Sequence, residues 1–421
     1  MREPDSGYNE SGRGKRKRLP LFSVVLIACY LIVSAFFFVY GFGDGRVPDD
    51  PAPATPANGS ITPPAEPPQE PPDPVEEPPV ELPPAVKVKG IYVGAWFAGN
   101  KERMDNYIDL CETTEINSLV LDVKEDHGYI TFFTDNEMFT GMVRELIPNM
   151  KGLVADLKSR GIYTIARVVC FKDPMRSGAN PRFAIQDSQG RPWEDASGTR
   201  WLDPYKRENW EYIGEICLEA ARMGFEEIQL DYVRFPADGR LSNIDFGPAG
   251  EEQTKTEVIA EFMAYIKDLM LKEGLRTSAD VFGIIALSDR DGAAIGQDLK
   301  LLLPVADSLC PMIYPSHFAS KRQNGTGQVI NGVLFEAPDT KPYEVIYNTM
   351  MHVIRHLDPD AEQAVIRPYL QDFTASYLGD GYYIPYGADE VRAQIQAVYD
   401  SGFEEWILWN HISVYSEDAF R

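Results

Sequence analysis

The segment Glu226–Pro236, EEIQLDYVRFP, decides the reading of this chain. Ile228, Leu230 and Val233 give it the apolar character of a buried strand. Asp231, Tyr232 and Arg234 then stand at its C-terminal end. A charge on a buried strand is costly unless something pairs or uses it. In a barrel of alternating strands and helices, catalytic groups gather at strand C-termini. The segment therefore points to an architecture and to a candidate active-site acid.

Working outward, seven further strand patterns flank it. They are KGIYVGAWF from Lys89, NSLVLDVKE from Asn117, IYTIARVVCF from Ile162, RTSADVFG from Arg276, DSLCPMIYP from Asp307, AVIRPYLQDF from Ala364 and EEWILWN from Glu404. Helical patterns lie between them, among them Met104–Thr113, Asn149–Arg160, Glu208–Met223, Thr256–Glu273 and Ala388–Asp400. Gly161, Gly224, Gly274 and Gly402 each stand between a helix and the next strand, as helix-ending glycines do. This alternation predicts an α/β fold, a (β/α)8 TIM barrel over residues 87–421. An open doubly wound sheet would carry a Gly-rich phosphate loop after its first strand, and GAWFAGN is not one. Insertions at Lys172–Tyr205 and His317–Pro342 follow strands three and six, so both belong to the face where barrel loops build a site.

The region before the barrel divides into three. Residues 1–18 end in the basic cluster Lys15–Arg18, read as a cytoplasmic tail. Residues 19–43 contain an apolar run without a charge up to Tyr40, and about 20 such residues span a bilayer. The flanking charges predict a single-pass anchor with the C-terminal domain outside the cell membrane, on a bacterial surface. A cleaved signal peptide and a lipoprotein box ending at Cys29 are the alternatives; the length of the run favours the uncleaved anchor. Residues 44–86 hold close to half of the chain's 32 Pro and read as a disordered polyproline-rich spacer. The net charge of −24 excludes a phosphate-binding nucleic-acid partner and is that of a solvated surface. The five Cys lack CxxC spacing and read as free thiols, most of them buried.

The strand C-termini supply the chemistry. Strand one closes on Trp96, strand two gives Asp122, Lys124, Glu125 and Asp126, and strand three gives Arg167 and Lys172. Asp231 and Arg234 follow on strand four, Asp280 on five, and Tyr314 and His317 on six. Arg367, Gln371 and Asp372 come from strand seven, and Trp409, Asn410 and His411 from strand eight. Carboxylates, amides and aromatics around one cavity are the groups that bind sugar hydroxyls and stack on sugar rings. Glycoside hydrolysis needs two carboxyl groups flanking the scissile bond. Asp231 is the first candidate, with Arg234 as its expected ion partner, and Asp280 on the next strand is the second. The substrate-binding candidates are Trp96, Asp122, Lys124, Arg167, Arg234, Tyr314, Gln371, Asp372, Trp409 and Asn410. The bland alternative is a structural network, with Arg167 paired to Asp231 or Asp122 to Lys124. Glu125, Asp126 and His127 point in different directions and form no metal site, so no metal or cofactor is expected. No GxSxG, HExxH or P-loop pattern is present.

From Lys89 onward, KGIYVGAW, SLVLDVKEDHGYITF, YTIARVVCFKDP, EEIQLDYVRFP, SADVFG, CPMIYPSHF, IRPYLQDF and WILWN resemble, in order, a family of bacterial glycoside hydrolase domains often borne by membrane-anchored proteins. The resemblance implies a TIM barrel related to α-amylase-like glycosidases, a polysaccharide or oligosaccharide substrate, Asp231 as nucleophile and Asp280 as acid/base. Asp280 stands where amylase-like barrels more often carry Glu, and Gln229 where they carry Arg. A catalytically silent glycan-binding or wall-scaffold module is the rival from a different class.

Overall fold

The computed structural model describes residues 82–421. The expected tail and anchor, and all but the last residues of the spacer, lie outside the described residues; among the described residues no helix is long and apolar enough to cross a membrane. The strands are β1 (Lys89–Val93), β2 (Ser118–Lys124), β3 (Tyr163–Val169), β4 (Glu227–Asp231), β5 (Arg276–Phe282), β6 (Ser308–Met312), β7 (Val365–Ile366 and Tyr369–Gln371) and β8 (Trp406–Trp409). All pair in parallel with their sequence neighbours, and β8 pairs with β1. The sheet is thus closed into the expected TIM barrel. Only β7 differs from a continuous strand. Pro368 brings no N–H to the ladder, and the strand is interrupted on either side of it.

The main outer helices are α1 (Lys101–Thr113), α2 (Met150–Ser159), α3 (Arg207–Met223), α4 (Lys255–Lys272), α5 (Asp289–Ile295), α6 (Pro342–Val353) and α7 (Ala388–Asp400). In α3 the buried set Trp210, Ile213, Ile216, Cys217 and Ala220 recurs at helical spacing and faces the strands. Thr254 and Glu257 cap the start of α4 reciprocally. The chain leaves α3 through Gly224 at φ 95°, and Gly161, Gly274 and Gly402 are left-handed too.

Alternation along the strands makes two cores. In β2, Leu119, Leu121 and Val123 join the large core under the helices, whereas Val120 faces inward. The inner core contains Ile165, Cys310, Tyr369 and Ile407. Below it lies a charged floor. Arg367 donates to Glu227 at 2.6 Å and to Glu405 at 2.8 Å, and Ser278 and Tyr163 also donate to Glu227. Arg367, expected among the strand-end groups, therefore belongs to the barrel floor, because Pro368 follows it and β7 continues for three more residues.

The insertions fold differently from one another. The first buries Trp193 and Trp201, which hold the loop on the barrel, with Trp201 donating to Asp195 at 2.9 Å. The second forms a hairpin, Gln328–Ile330 with Val333–Phe335, turned by Asn331 and Gly332 at positive φ. It returns through Asp339, a fully buried carboxyl that accepts from Gln371 at 2.9 Å on one oxygen and has no partner on the other. Burial raises this carboxyl to about 6, against the opposing Gln371 bond. The folded state therefore holds the proton more tightly than the unfolded chain, and stability is lost as pH rises through that value. A shift of this size corresponds to about 3 kcal/mol. Asp339→Asn should raise the melting temperature at pH 8 by several degrees, with the gain vanishing below about pH 4; thermal unfolding at the two pH values checks it.

Candidate active site

The barrel mouth is organised by one guanidinium. Arg167, inward-facing on β3, reaches both neighbouring strands. Its Nη1 donates to Asp122 Oδ1 of β2 at 2.7 Å, and its Nε and Nη2 donate to Asp231 Oδ2 of β4 at 2.9 and 2.5 Å. Nη2 also donates to Asp126 Oδ1 at 2.9 Å, from the loop after β2. The guanidinium lies 5.4 Å from the Tyr92 ring centroid, and the Tyr92 hydroxyl donates to Asp122 Oδ2 at 2.7 Å. The Cα register Asp122↔Arg167 and Arg167↔Gln229 makes this convergence a property of the ladder.

Asp231 stands at a bend. Its Oδ1 accepts the N–H of Tyr232 at 2.6 Å, and its carbonyl accepts the N–H of Cys170 at 2.7 Å. Tyr232 has φ 49°, the left-handed region that a bulky residue seldom occupies. Such strain persists where surrounding contacts fix it, and functional sites are where it collects. Asp280 comes next. Leu230 pairs with Ala279, so the following residues, Asp231 and Asp280, lie side by side on β4 and β5. Asp280 is buried, and its Oδ1 has no hydrogen-bond partner among the described residues.

The electrostatics separate these carboxyls. Burial, and then the charge of Asp231, push Asp280 well above the usual carboxylate range, against the pull of Arg167. Burial also raises Asp122, with Arg167 opposing. Asp126, partly open to solvent, is held down to about 2; desolvation works against its ionisation, but the charges of Arg167 and then Lys172 outweigh it. A carboxyl raised by burial beside an ion-paired carboxylate is an arrangement that can supply an acid and a nucleophile.

Aromatic rings close the opposite side. Tyr314, beyond β6, lies 5.7 Å from Trp409 of β8 and 6.0 Å from Phe373 beyond β7, with His317 edge-on at 4.9 Å. Asp122, Arg167, Asp231, Asp280, Tyr314 and Trp409 thus meet in one mouth. Other expected site residues have different places. Lys124 is fully buried, ion-paired to Asp173 at 3.1 Å and bonded to the Val169 carbonyl at 2.7 Å. A register shift between Asp122 and Lys124 turns it out of the barrel. Arg234 does not hold Asp231. It donates to its neighbour Phe235's carbonyl at 2.9 Å and packs on Trp201 and Phe282. Gln371 is wholly buried, tying Ser316, Asp339 and Phe373 together. Asp372 accepts two bonds from Ser416, and Asn410 bonds the Asp372 carbonyl and the Ile412 N–H. These three brace the loops. Trp96 ends no strand; it lies in a helical turn, Ala95–Ala98, at the rim. Tyr92 was not anticipated, although its inward parity on β1 is readable in KGIYV. Among the described residues no group of three or more His, Cys, Asp or Glu is arranged to hold a metal.

An eight-stranded parallel barrel with paired carboxyls at its C-terminal face defines the class of TIM-barrel glycoside hydrolases. Residues 90–415 match the family described as "Putative glycosyl hydrolase domain", and the chain belongs to that family. A hypothetical protein from Ruminiclostridium thermocellum ATCC 27405 is 38% identical over 46% of this chain and 99% of its own, with a TM-score of 0.43. The glycoside hydrolase domain of PgaB (BpsB) from Bordetella bronchiseptica has a TM-score of 0.57 at 14% identity, covering 77% of this chain and 94% of its own. An α-galactosidase from Thermus thermophilus is 13% identical over 81% of this chain and 63% of its own, with a TM-score of 0.47. No curated protein matches the chain.

Arg167→Met should leave Asp122 and Asp231 as buried carboxyls without a counter-charge. The expected cost is about 3–5 kcal/mol of stability, larger at pH 8 than at pH 5, because protonation relieves the unpaired acids. Urea denaturation at both pH values measures it; an unchanged midpoint at pH 8 contradicts the hub role.

Proposed function

We propose that the domain hydrolyses O-glycosidic bonds of a polysaccharide outside the cell membrane, with Asp231 as nucleophile and Asp280 as general acid/base. One observation carries the assignment. Asp280, pushed well above the usual carboxylate range by burial and lacking a partner on Oδ1, lies beside Asp231, whose carboxylate is ion-paired to Arg167. Asp280 donates its proton to the leaving glycosidic oxygen while Asp231 attacks the anomeric carbon. The glycosyl–Asp231 ester is then cleaved by water, which gives its proton to Asp280. Arg167 orients Asp231 throughout and balances the charges of Asp122 and Asp126. Trp409, half-buried and backed by Tyr314, offers a ring to the sugar. The apolar run in residues 19–43 anchors the chain, and the Pro-rich spacer sets the barrel off the bilayer. A glycan-binding module without turnover has one observation in its favour: both Asp231 oxygens already accept hydrogen bonds.

Assay against a panel of polysaccharides tests the reading. Asp231→Ala should lower kcat at least 1,000-fold, on the order of 4 kcal/mol, and azide should restore turnover as a glycosyl azide. Asp280→Asn should remove the alkaline limb of the pH profile, because the acid must be protonated and wild-type activity falls as pH rises through its pKa. Equal activity of wild type and Asp231→Ala would sink the assignment, and binding without any wild-type cleavage favours the silent module. Protease added to intact cells should degrade the barrel; full protection would contradict the extracellular placement.

A further inference from the structure

Three consecutive loops around the mouth, those after β8, β1 and β2, present apolar side chains to solvent. Ile412 and Val414 are 47% and 51% exposed, Trp96 65% and Phe133 70%; the last two are the most exposed large hydrophobic residues among those described. A run of exposed apolar groups on adjacent loops marks a binding surface more often than chance does.

The rim is fixed in place without a ligand. Ser413, buried between Ile412 and Val414, is held at φ 49° and accepts the Gly94 N–H on its hydroxyl at 3.1 Å and the Tyr107 hydroxyl on its carbonyl at 2.7 Å. That pins the β8 loop to the β1 loop. The β1 loop is seated in turn against the β2 loop: a Cβ on Gly99 would lie 1.9 Å from the Leu146 carbonyl oxygen. Arg144 bridges the same two loops, its guanidinium 5.7 Å from the ring centroids of both Trp96 and Tyr129, and its N–H donates to Ile130 at 2.8 Å. The rim is also continuous with the catalytic centre. Ala95 N–H donates to Asp122 Oδ2 at 3.3 Å, and the Thr131 hydroxyl to the Asp122 carbonyl at 2.6 Å.

We infer that this rim is a second glycan-binding surface, which holds an uncharged pyranose chain several sugars away from the bond being cut. The inference rests on the glycosidase reading for its substrate class. Exposed aromatic faces fit the C–H faces of pyranose rings, and a surface rigid before binding loses little entropy on occupation. The span over three loops fits a chain rather than a single sugar. Charge favours an uncharged chain. The molecule carries −24, which opposes a polyanion, and the Arg144 guanidinium set 5.7 Å from the Trp96 ring opposes a cationic sugar at the rim itself.

The test separates binding from cleavage. Retardation of the full chain in native gels containing soluble mixed-linkage β-glucan, galactomannan or glycol chitin requires no hydrolysis. We expect retardation by at least one of these, lost about tenfold in Trp96→Ala and Phe133→Ala and retained in Phe133→Tyr. Where wild type hydrolyses the polymer, the ratio of kcat/KM on long chains to that on trisaccharides should fall about tenfold in Phe133→Ala. Unchanged melting temperatures would exclude misfolding, since both side chains are exposed; a variant that melts early is replaced by Ile412→Ser. Retardation that survives these substitutions, no retardation by any of the three polymers, or a concentration-dependent dimer abolished by Phe133→Ala would overturn the inference. Absence of wild-type hydrolysis with retardation intact would instead count against the glycosidase reading alone.

Discussion

The ion-pair hub of Arg167 is the constraint on which the mouth depends. Three carboxylates cannot share a buried space without a counter-charge, because desolvation and mutual repulsion both oppose ionisation. A guanidinium answers this better than an ammonium, since its planar fork directs N–H groups to several acceptors at once. From its central place on β3, Arg167 reaches Asp122 and Asp126 on one side and Asp231 on the other. Asp280 has no ion pair to Arg167 among the described residues, and burial beside the charge of Asp231 sets it apart from an acid of the same residue type. One is ion-paired; the other is buried beside a negative charge, which pushes its carboxyl well above the usual carboxylate range.

The barrel interior supports this division by layers. The charged floor of Glu227, Arg367 and Glu405 satisfies its own members. Above it, Gln229 accepts from the Tyr369 hydroxyl at 2.7 Å. The mouth layer therefore rests on polar groups that are already bonded, and the floor's arginine gives its ion pairs to Glu227 and Glu405. Strain is confined to the mouth and its loops: Tyr232 and Ser413 adopt left-handed backbone at positions where hydrogen bonds from other loops hold them.

Much of the architecture was legible in the sequence because periodicity is a local property. Strand alternation and helix-ending glycines report backbone geometry directly, and all eight expected strands form. The candidate pair Asp231 and Asp280 was legible because both lie near the C-terminal ends of strands adjacent in order. Ion partners were only half legible: the pairing of Arg167 with Asp231 stood as the structural alternative and forms, whereas the expected partner Arg234 does not take that place. Arg234 is three residues from Asp231 in sequence, yet Arg167, sixty-four residues away, holds it. The bulge that turns Lys124 outward, and the burial of Trp193 and Trp201, follow from tertiary packing that no pattern of residue types encodes.

By itself the sequence determined a closed α/β barrel, the order of its strands and which carboxyls lie near the C-terminal ends of β4 and β5. These follow from period-two and period-3.6 patterning, each read within a short window. Only the tertiary structure decided which acid is ion-paired and which is buried without such a partner, which polar residues brace loops, and which aromatic residues remain exposed at the rim. Those outcomes depend on distances across the mouth between groups far apart in the chain, and on the loss of water around them, and both arise only once the barrel has closed.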